Sequence, residues 1–159
     1  MTTDHANLAA DVVLFANEHG HGHDIDASDL HVLLIQRGWD PYAGCWALPG
    51  GYVEHDETFE EAARRELVEE TGITAPAWLD RVGVYDAPNR DPRGRVVSVA
   101  FVGRTFGMPA PTAGDDAKAA RWVPVESVLT GEQPAAFDHA EIIAAAVNHV
   151  RFNGWWCCP

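Results

Sequence analysis

The chain has 159 residues, 47% of them hydrophobic, so it is long enough for one domain with a buried core and too apolar to be disordered. Its 11 basic and 24 acidic side chains give a formal charge of −13, which argues against nucleic-acid binding through phosphates but allows small phosphorylated ligands where a divalent cation reverses the local sign. No run approaches the ~18 apolar residues of a membrane span, the N-terminal stretch lacks the marks of a signal peptide, and Cys45, Cys157 and Cys158 make no disulfide framework, so a single cytoplasmic domain over 1–159 is expected, with no membrane and no nucleic-acid partner.

In chain order, 10–17 (ADVVLFAN) and Leu30–Arg37 (LHVLLIQR) are apolar, β-rich runs of strand length. The polar, Gly-containing segment between them reads as a loop. Its tract HGHGHD (19–24) suits either a transition metal or a solvated hairpin loop. A stretch dense in Gly, Pro and aromatics (38–54) predicts loop with short strand pieces. A helix follows, then two strands in WLDRVGVYDAP and GRVVSVAFVGR, separated by the turn-forming PNRDPRG. RWVPV predicts a short strand, and apolar residues at helical spacing over 137–151 predict a second helix. The order β-β-β-α-β-β-β-α points to helices packed on a mixed sheet. The tail NGWWCCP offers Trp155 and Trp156 either to a second subunit, as in a homodimer, or to its own domain.

The first helix carries the chemistry. Thr58 and Glu61 form an S/T-x-x-E capping box, and Gly72 stands where a left-handed residue would end the helix. At about 100° per residue, Phe59, Ala62 and Ala63 share the inward face, and Glu66, Glu69 and Glu70 are expected to extend it into the last turn. Three acids at the negative end of a helix dipole need a compensating cation, and Arg65 alone cannot serve all three. Hard divalent cations take carboxylate oxygens, and Mg²⁺ binds one or two carboxylates together with water and substrate phosphates. A metal site over this helix end is one reading. A solvated acidic end tied by i,i+4 pairs such as Glu61–Arg65 is the other.

The residues before the helix bear on that choice. Gly51, five residues, Glu57, seven residues, Arg65-Glu66-Leu67, one residue, Glu69-Glu70, one residue and Gly72-Ile73 resemble a complete Nudix box, G-x5-E-x7-R-E-U-x-E-E-x-G-U with U aliphatic. Seven single-letter positions at ordinary residue frequencies coincide on the order of once in 10⁸ starts. The preceding WALPGG and the element order on both sides are also similar to that family.

The resemblance implies an α/β/α sandwich with a central mixed sheet that hydrolyses a nucleoside diphosphate linked to another group, using Mg²⁺ or Mn²⁺. It implies that Glu66 and Glu70 hold metal together with the Gly50 carbonyl. Glu69 becomes a further ligand or the general base, and Arg65 and Glu57 pair to orient the glutamates. Gly51 and Gly72 are expected to supply backbone shapes that other residues resist. Some members take the base from a later loop, and here Asp115 and Asp116 in TAGDDAKAARW stand about where that acid falls.

For the substrate, Pro88 lies fifteen positions past Ile73 (88 − 73 = 15). This proline, the segment RDPRGRVVSVAF, and LLIQRGWDPYAGCWALPGG, where Arg37 could reach a phosphate, resemble ADP-ribose pyrophosphatases. The loop 90–95, with Arg93, is expected to contact the small-molecule nucleotide substrate. A hydrolase of oxidised nucleoside triphosphates is the alternative enzyme. A ligand sensor of ADP-ribose type is the alternative class, disfavoured because no box glutamate is lost.

Overall fold

The computed structural model describes residues 5–17, 29–114 and 117–152. The histidine tract, Asp115, Asp116 and the tryptophan- and cysteine-bearing tail lie outside them.

The elements are β1 (Asn7–Asn17), β2 (Leu30–Arg37), β3 (Trp46–Ala47), β4 (Gly50–Tyr52), α1 (Phe59–Thr71), β5 (Asp80–Tyr85), β6 (Val96–Arg104), β7 (Ala117–Pro124), α2 (Val125–Leu129) and α3 (His139–Phe152). Seven strands form one mixed sheet. Its main path runs β3-β2-β1-β6-β5, with β4 paired to β1 and β7 to β2. Strands β1 and β6 run parallel along nine registered positions, from Asn7↔Val96 to Phe15↔Arg104.

Alternation along β1 divides the core. Ala10, Val12 and Leu14 pack with Leu33 against Ala62, Ala63 and Leu67 of α1. Val13 and Phe15 pack with Val32 and Leu34 against Ile142, Ile143, Ala146 and Val147 of α3. The result is the expected α/β/α sandwich. No helix among the described residues is long and apolar enough to cross a membrane.

Three differences from the sequence reading have physical causes. Strand β7 starts well before RWVPV, at Ala117, because it pairs along the length of β2 from Arg37 to His31; that pairing overrides the weak strand preference of AKAA. Helix α2, only five residues long, is too short to show a period. Helix α3 begins at His139 because Phe137 has φ 55, which no right-handed helix accepts.

One feature of the sheet makes room for a site. β1 and β2 pair only at Phe15↔Val32, Ala16↔His31 and Asn17↔Leu30. Beyond that they diverge: Ala9–Asp11 of β1 pair with β4, and Ile35 and Gln36 of β2 pair with β3. The residues from Trp46 to Tyr52 fill the opening, fixed there by a hydrogen bond from the Val12 N–H to the Pro49 carbonyl (2.9 Å).

Candidate active site

The glycines of this inserted segment are required by contact. A Cβ on Gly50 would strike the Ala10 carbonyl and come within 2.6 Å of Asp11 Oδ1. A Cβ on Gly51 would overlap the Glu66 carboxylate. Gly51 is thus needed for close approach, not for an unusual backbone shape as the sequence reading expects. Gly72 does supply such a shape, ending α1 at φ 68 with its N–H donating to the Val68 carbonyl.

At the other end of α1, the Thr58 hydroxyl accepts from the Glu61 N–H while the Glu61 carboxylate accepts from the Thr58 N–H. Glu61 is therefore committed to the cap and is not Arg65's partner. Arg65 clasps Glu57 with Nε and Nη2 (3.1 and 2.6 Å), and its Nη1 donates to Glu66 Oε1 (2.8 Å) and Glu69 Oε2 (3.0 Å). The same guanidinium reaches the Tyr52 carbonyl from Nη2 (3.1 Å), tying α1 to β4.

Glu70 is outside this clasp. Its Oε2 accepts from the Gly50 N–H at 3.0 Å, and no ion pair reaches it among the described residues. Burial pushes its carboxyl up to about 8, and repulsion from Glu66 and Asp11 adds to the shift. Burial also raises Glu66, against the opposing pull of Arg65. Glu69 differs from both. Its side chain is 57% exposed, because three residues past Glu66 it rotates away from the direction Glu70 takes. The inward face therefore holds Glu66 and Glu70 but not Glu69.

One cleft is lined both by a carboxylate-bearing wall, Glu66 and Glu70 with Gly50 and Gly51, and by an arginine-bearing wall, Arg37, Arg90 and Arg93 with Asp91 and Phe137. Asp11 also lines the cleft and accepts from the Ser98 hydroxyl, 2.5 Å away. Arg90 is buried and gives Nε and Nη2 to Asp138 at 2.8 and 2.6 Å. The Leu48 N–H donates to His139 Nδ1 (2.9 Å), and burial lowers the His139 pKa. The ring is then neutral, with its proton on Nε2, which faces Asp11 Oδ1 at 3.8 Å.

Of the residues singled out from sequence, Gly50, Glu66, Glu70, Arg37 and Arg93 line the cleft. Glu57 and Arg65 brace α1 beside it. The loop 90–95 is divided: Arg93 faces the cleft, Arg90 is locked to Asp138, and Arg95 donates to the Asp86 carbonyl. Pro88 lies exposed in the turn between β5 and β6. Asp115 and Asp116 are not described, but the residue before them, Gly114, rests on the end of α1. Its N–H donates to the Glu70 carbonyl (3.1 Å), and a Cβ there would overlap the Glu69 carbonyl.

Sequence reasoning missed Asp11, Ser98, Asp138 and His139. Asp11 had a signal, being the one charge inside an apolar strand; the others had none.

Among the described residues no three His, Cys, Asp or Glu side chains stand together as a ready metal cage. Two half-buried carboxylates, Glu66 and Glu70, the second without an ion pair among the described residues, nevertheless fit a hard cation that completes its shell with water and substrate oxygens.

Comparison with known proteins matches residues 6–146 to the NUDIX domain. The chain is 46% identical over 115 residues to the ADP-ribose pyrophosphatase of Methanocaldococcus jannaschii, a match covering 72% of this chain and 64% of that protein. Among solved structures, the NUDIX domain of Shewanella oneidensis NrtR complexed with ADP ribose superposes with a TM-score of 0.77 at 30% identity, covering 92% of this chain and 89% of that one. A bifunctional NMN adenylyltransferase/ADP ribose pyrophosphatase of Francisella tularensis, complexed with AMP and a manganese ion, gives 0.75 at 28% identity, covering 94% of this chain and 43% of that one.

Proposed function

This chain belongs to the NUDIX family, and on that footing we propose that it is a metal-dependent pyrophosphohydrolase that cleaves ADP-ribose to AMP and ribose 5-phosphate. The observation that carries the reading is one cleft lined both by a half-buried carboxylate pair, Glu66 and Glu70, of which Glu70 has no ion pair among the described residues, and by the guanidiniums of Arg37 and Arg93. A diphosphate needs both: cations to hold its oxygens, and carboxylates to hold the metal that meets it. The similarity to the archaeal ADP-ribose pyrophosphatase supports the choice of substrate.

In this reading Glu66, Glu70 and the Gly50 carbonyl hold Mg²⁺, with Mn²⁺ as the alternative, and Glu69 is a further ligand or the base. A metal held there would lower the pKa of a bound water and offset charge gathering on phosphorus. Arg65 and Glu57 fix the orientation of Glu66. Arg37 and Arg93 bind the diphosphate. One carboxylate, Glu69 or an aspartate of the pair Asp115 and Asp116, takes the proton of the attacking water. Water oxygen bonds to phosphorus, and the bridging phosphorus–oxygen bond breaks to release the two monophosphates. The partner is a small nucleotide, and the setting is the cytoplasm.

The test is a panel of ADP-ribose, NADH, diadenosine polyphosphates and 8-oxo-dGTP with Mg²⁺ or Mn²⁺, ranked by kcat/KM. ADP-ribose should lead, and in ¹⁸O-water the label should enter a product phosphate. Efficient triphosphate hydrolysis with inert ADP-ribose would make it a nucleotide-sanitising enzyme. Tight ADP-ribose binding without turnover would make it a sensor.

A further inference from the structure

Among the described residues only two other than glycine have positive φ, Tyr42 (64) and Phe137 (55), and they touch each other: their rings meet edge-on with centroids 4.7 Å apart. Left-handed backbone is unfavourable for both side chains and persists only where the surroundings enforce it. At Phe137 the enforcement is visible. The Ala136 N–H donates to the Trp46 carbonyl (2.7 Å), Ala135 bridges to Trp46, and His139 accepts from the Leu48 N–H. The segment before α3 is thereby fastened to the strand insertion, and the Phe137 ring is turned into the cleft.

Two cations use that ring. The Arg37 guanidinium lies over it at 4.8 Å from the centroid, and that of Arg93 at 5.8 Å, where it also lies over the Tyr52 ring at 5.5 Å and so bridges the two rings. The arginines come from different segments, Arg37 from the end of β2 and Arg93 from the turn between β5 and β6. Each is held at part of its donor set: Arg37 gives Nε to the Pro41 carbonyl (2.8 Å), and Arg93 gives Nε and Nη2 to Asp91 (3.0 and 2.6 Å). Both terminal nitrogens of Arg37 and Nη1 of Arg93 have no hydrogen-bond partner among the described residues. Burial and the neighbouring Arg93 both lower the Arg37 pKa. Two like charges are therefore gathered at one ring with donors to spare, an arrangement that an anion between them would relieve.

We infer that Phe137 is a positioning residue, whose strained backbone presents one ring as the common seat of Arg37 and Arg93 and so sets the two guanidiniums as a single clamp for a diphosphate. The clamp rests on the proposed reading for the identity of its substrate, but not for its chemistry, since inorganic pyrophosphate presents the same anion. Tyr42 props the ring from its edge.

The test measures inorganic pyrophosphate affinity by calorimetry in Mg²⁺, together with ADP-ribose kinetics, for Phe137→Leu, Phe137→Tyr and the same changes in Arg93→Ala. Phe137→Leu should weaken pyrophosphate and raise KM about ten-fold, the scale of two cation–π contacts, with kcat within about two-fold. Phe137→Tyr should restore both. In Arg93→Ala, the leucine change should add only about three-fold, the share that passes through Arg37, because the contact to Arg93 is already gone. Phe137→Gly, which relieves the backbone, should fold and show the same loss as leucine. Unaltered pyrophosphate affinity in the leucine and glycine variants, or a full ten-fold loss repeated in Arg93→Ala, would overturn the inference. If ADP-ribose is inert in every variant while pyrophosphate responds as expected, the clamp stands and the substrate reading fails.

Discussion

The carboxylate wall of the cleft comes from one helix and the glycines that face it, whereas the arginine wall is gathered from the end of β2, the β5–β6 turn and the approach to α3. The two walls also differ in how their charge is treated. Glu70 is half-buried and has no ion pair among the described residues. Arg90 and Arg93 each give Nε and Nη2 to one aspartate, Asp138 and Asp91, but the Arg90 side chain is buried and that of Arg93 is partly exposed. A buried charge left unpaired raises the energy of the folded chain unless it is neutralised or something binds it. The carboxylate wall therefore stores an unmet demand at Glu70, whereas on the arginine wall Arg90 and Arg93 are each paired and Arg37 alone has no ion pair among the described residues. Activity should be most sensitive on the first wall and stability on the second.

The largest effect is expected from Glu70→Gln. The amide keeps the shape but removes the charge, so kcat should fall by about 10³ or more with Mg²⁺ present, while the metal-free protein melts no lower than the parent. Unchanged turnover at saturating Mg²⁺ would remove Glu70 from the proposed metal site.

The same demand predicts a pH dependence. Glu70 in the folded chain titrates at about 8, above the ordinary ~4.3 of a glutamate. The folded state holds a proton that the unfolded state releases. This contribution to stability is fully present below about pH 4 and is lost as pH rises through about 8. Thermal melts of metal-free protein should show it, and the slope should vanish in Glu70→Gln. Mg²⁺ should recover the loss at high pH, by about 2.7 kcal/mol at a hundred times its Kd. A flat profile in the parent would show that Glu70 is better solvated than its burial implies.

Asp138→Ala tests the opposite wall. It leaves the Arg90 guanidinium buried beside Asp11 alone, and unfolding free energy should drop by about 3 kcal/mol. Arg93→Ala should barely move the melting temperature, since Arg93 is partly exposed, yet raise KM for ADP-ribose about ten-fold through the lost phosphate contact. A large stability loss in Arg93→Ala with normal kinetics would make both arginines structural and erase the division within this wall.

How far each wall could be read from sequence follows from how it is built. Glu57, Arg65, Glu66, Glu70 and the capping residues are close in sequence, so helical spacing and the family pattern place them together. Even there the rotation of Glu69 out of the cleft was not anticipated, because three-residue and four-residue steps diverge by a full residue's turn. The arginine wall depends on long-range closure. Asp138 and His139 begin α3, and nothing local reveals that they meet Arg90 and Leu48. The sandwich itself was legible, since β1 and β2 are long apolar runs and α3 has a clear period. Helix α2 and the first half of β7 were not, because their assignment comes from pairing and packing on β2 and not from their own residues.

The smallest effect should come from Gly72→Ala, at the end of the carboxylate wall. Gly72 has φ 68, where an alanine is strained by about 1 kcal/mol. Space is not the obstacle: an added Cβ would meet Thr112 Cβ at 3.6 Å, an ordinary contact. The bond from residue 72 N–H to the Val68 carbonyl survives the change, and so does that from Thr112 N–H to the Thr71 carbonyl. Glu66 sits nearly two turns earlier and Glu70 two residues earlier, and their carboxylates are held by Arg65 and the Gly50 N–H, neither of which touches the cap. The melting temperature should therefore fall by roughly 2–4 °C, the shift expected of ~1 kcal/mol in a domain of this size, while kcat stays within about two-fold. A collapse of kcat would instead mean that the segment resting on the helix end through Thr112 and Gly114 sets the position of the carboxylates, coupling the aspartate-bearing loop to this wall.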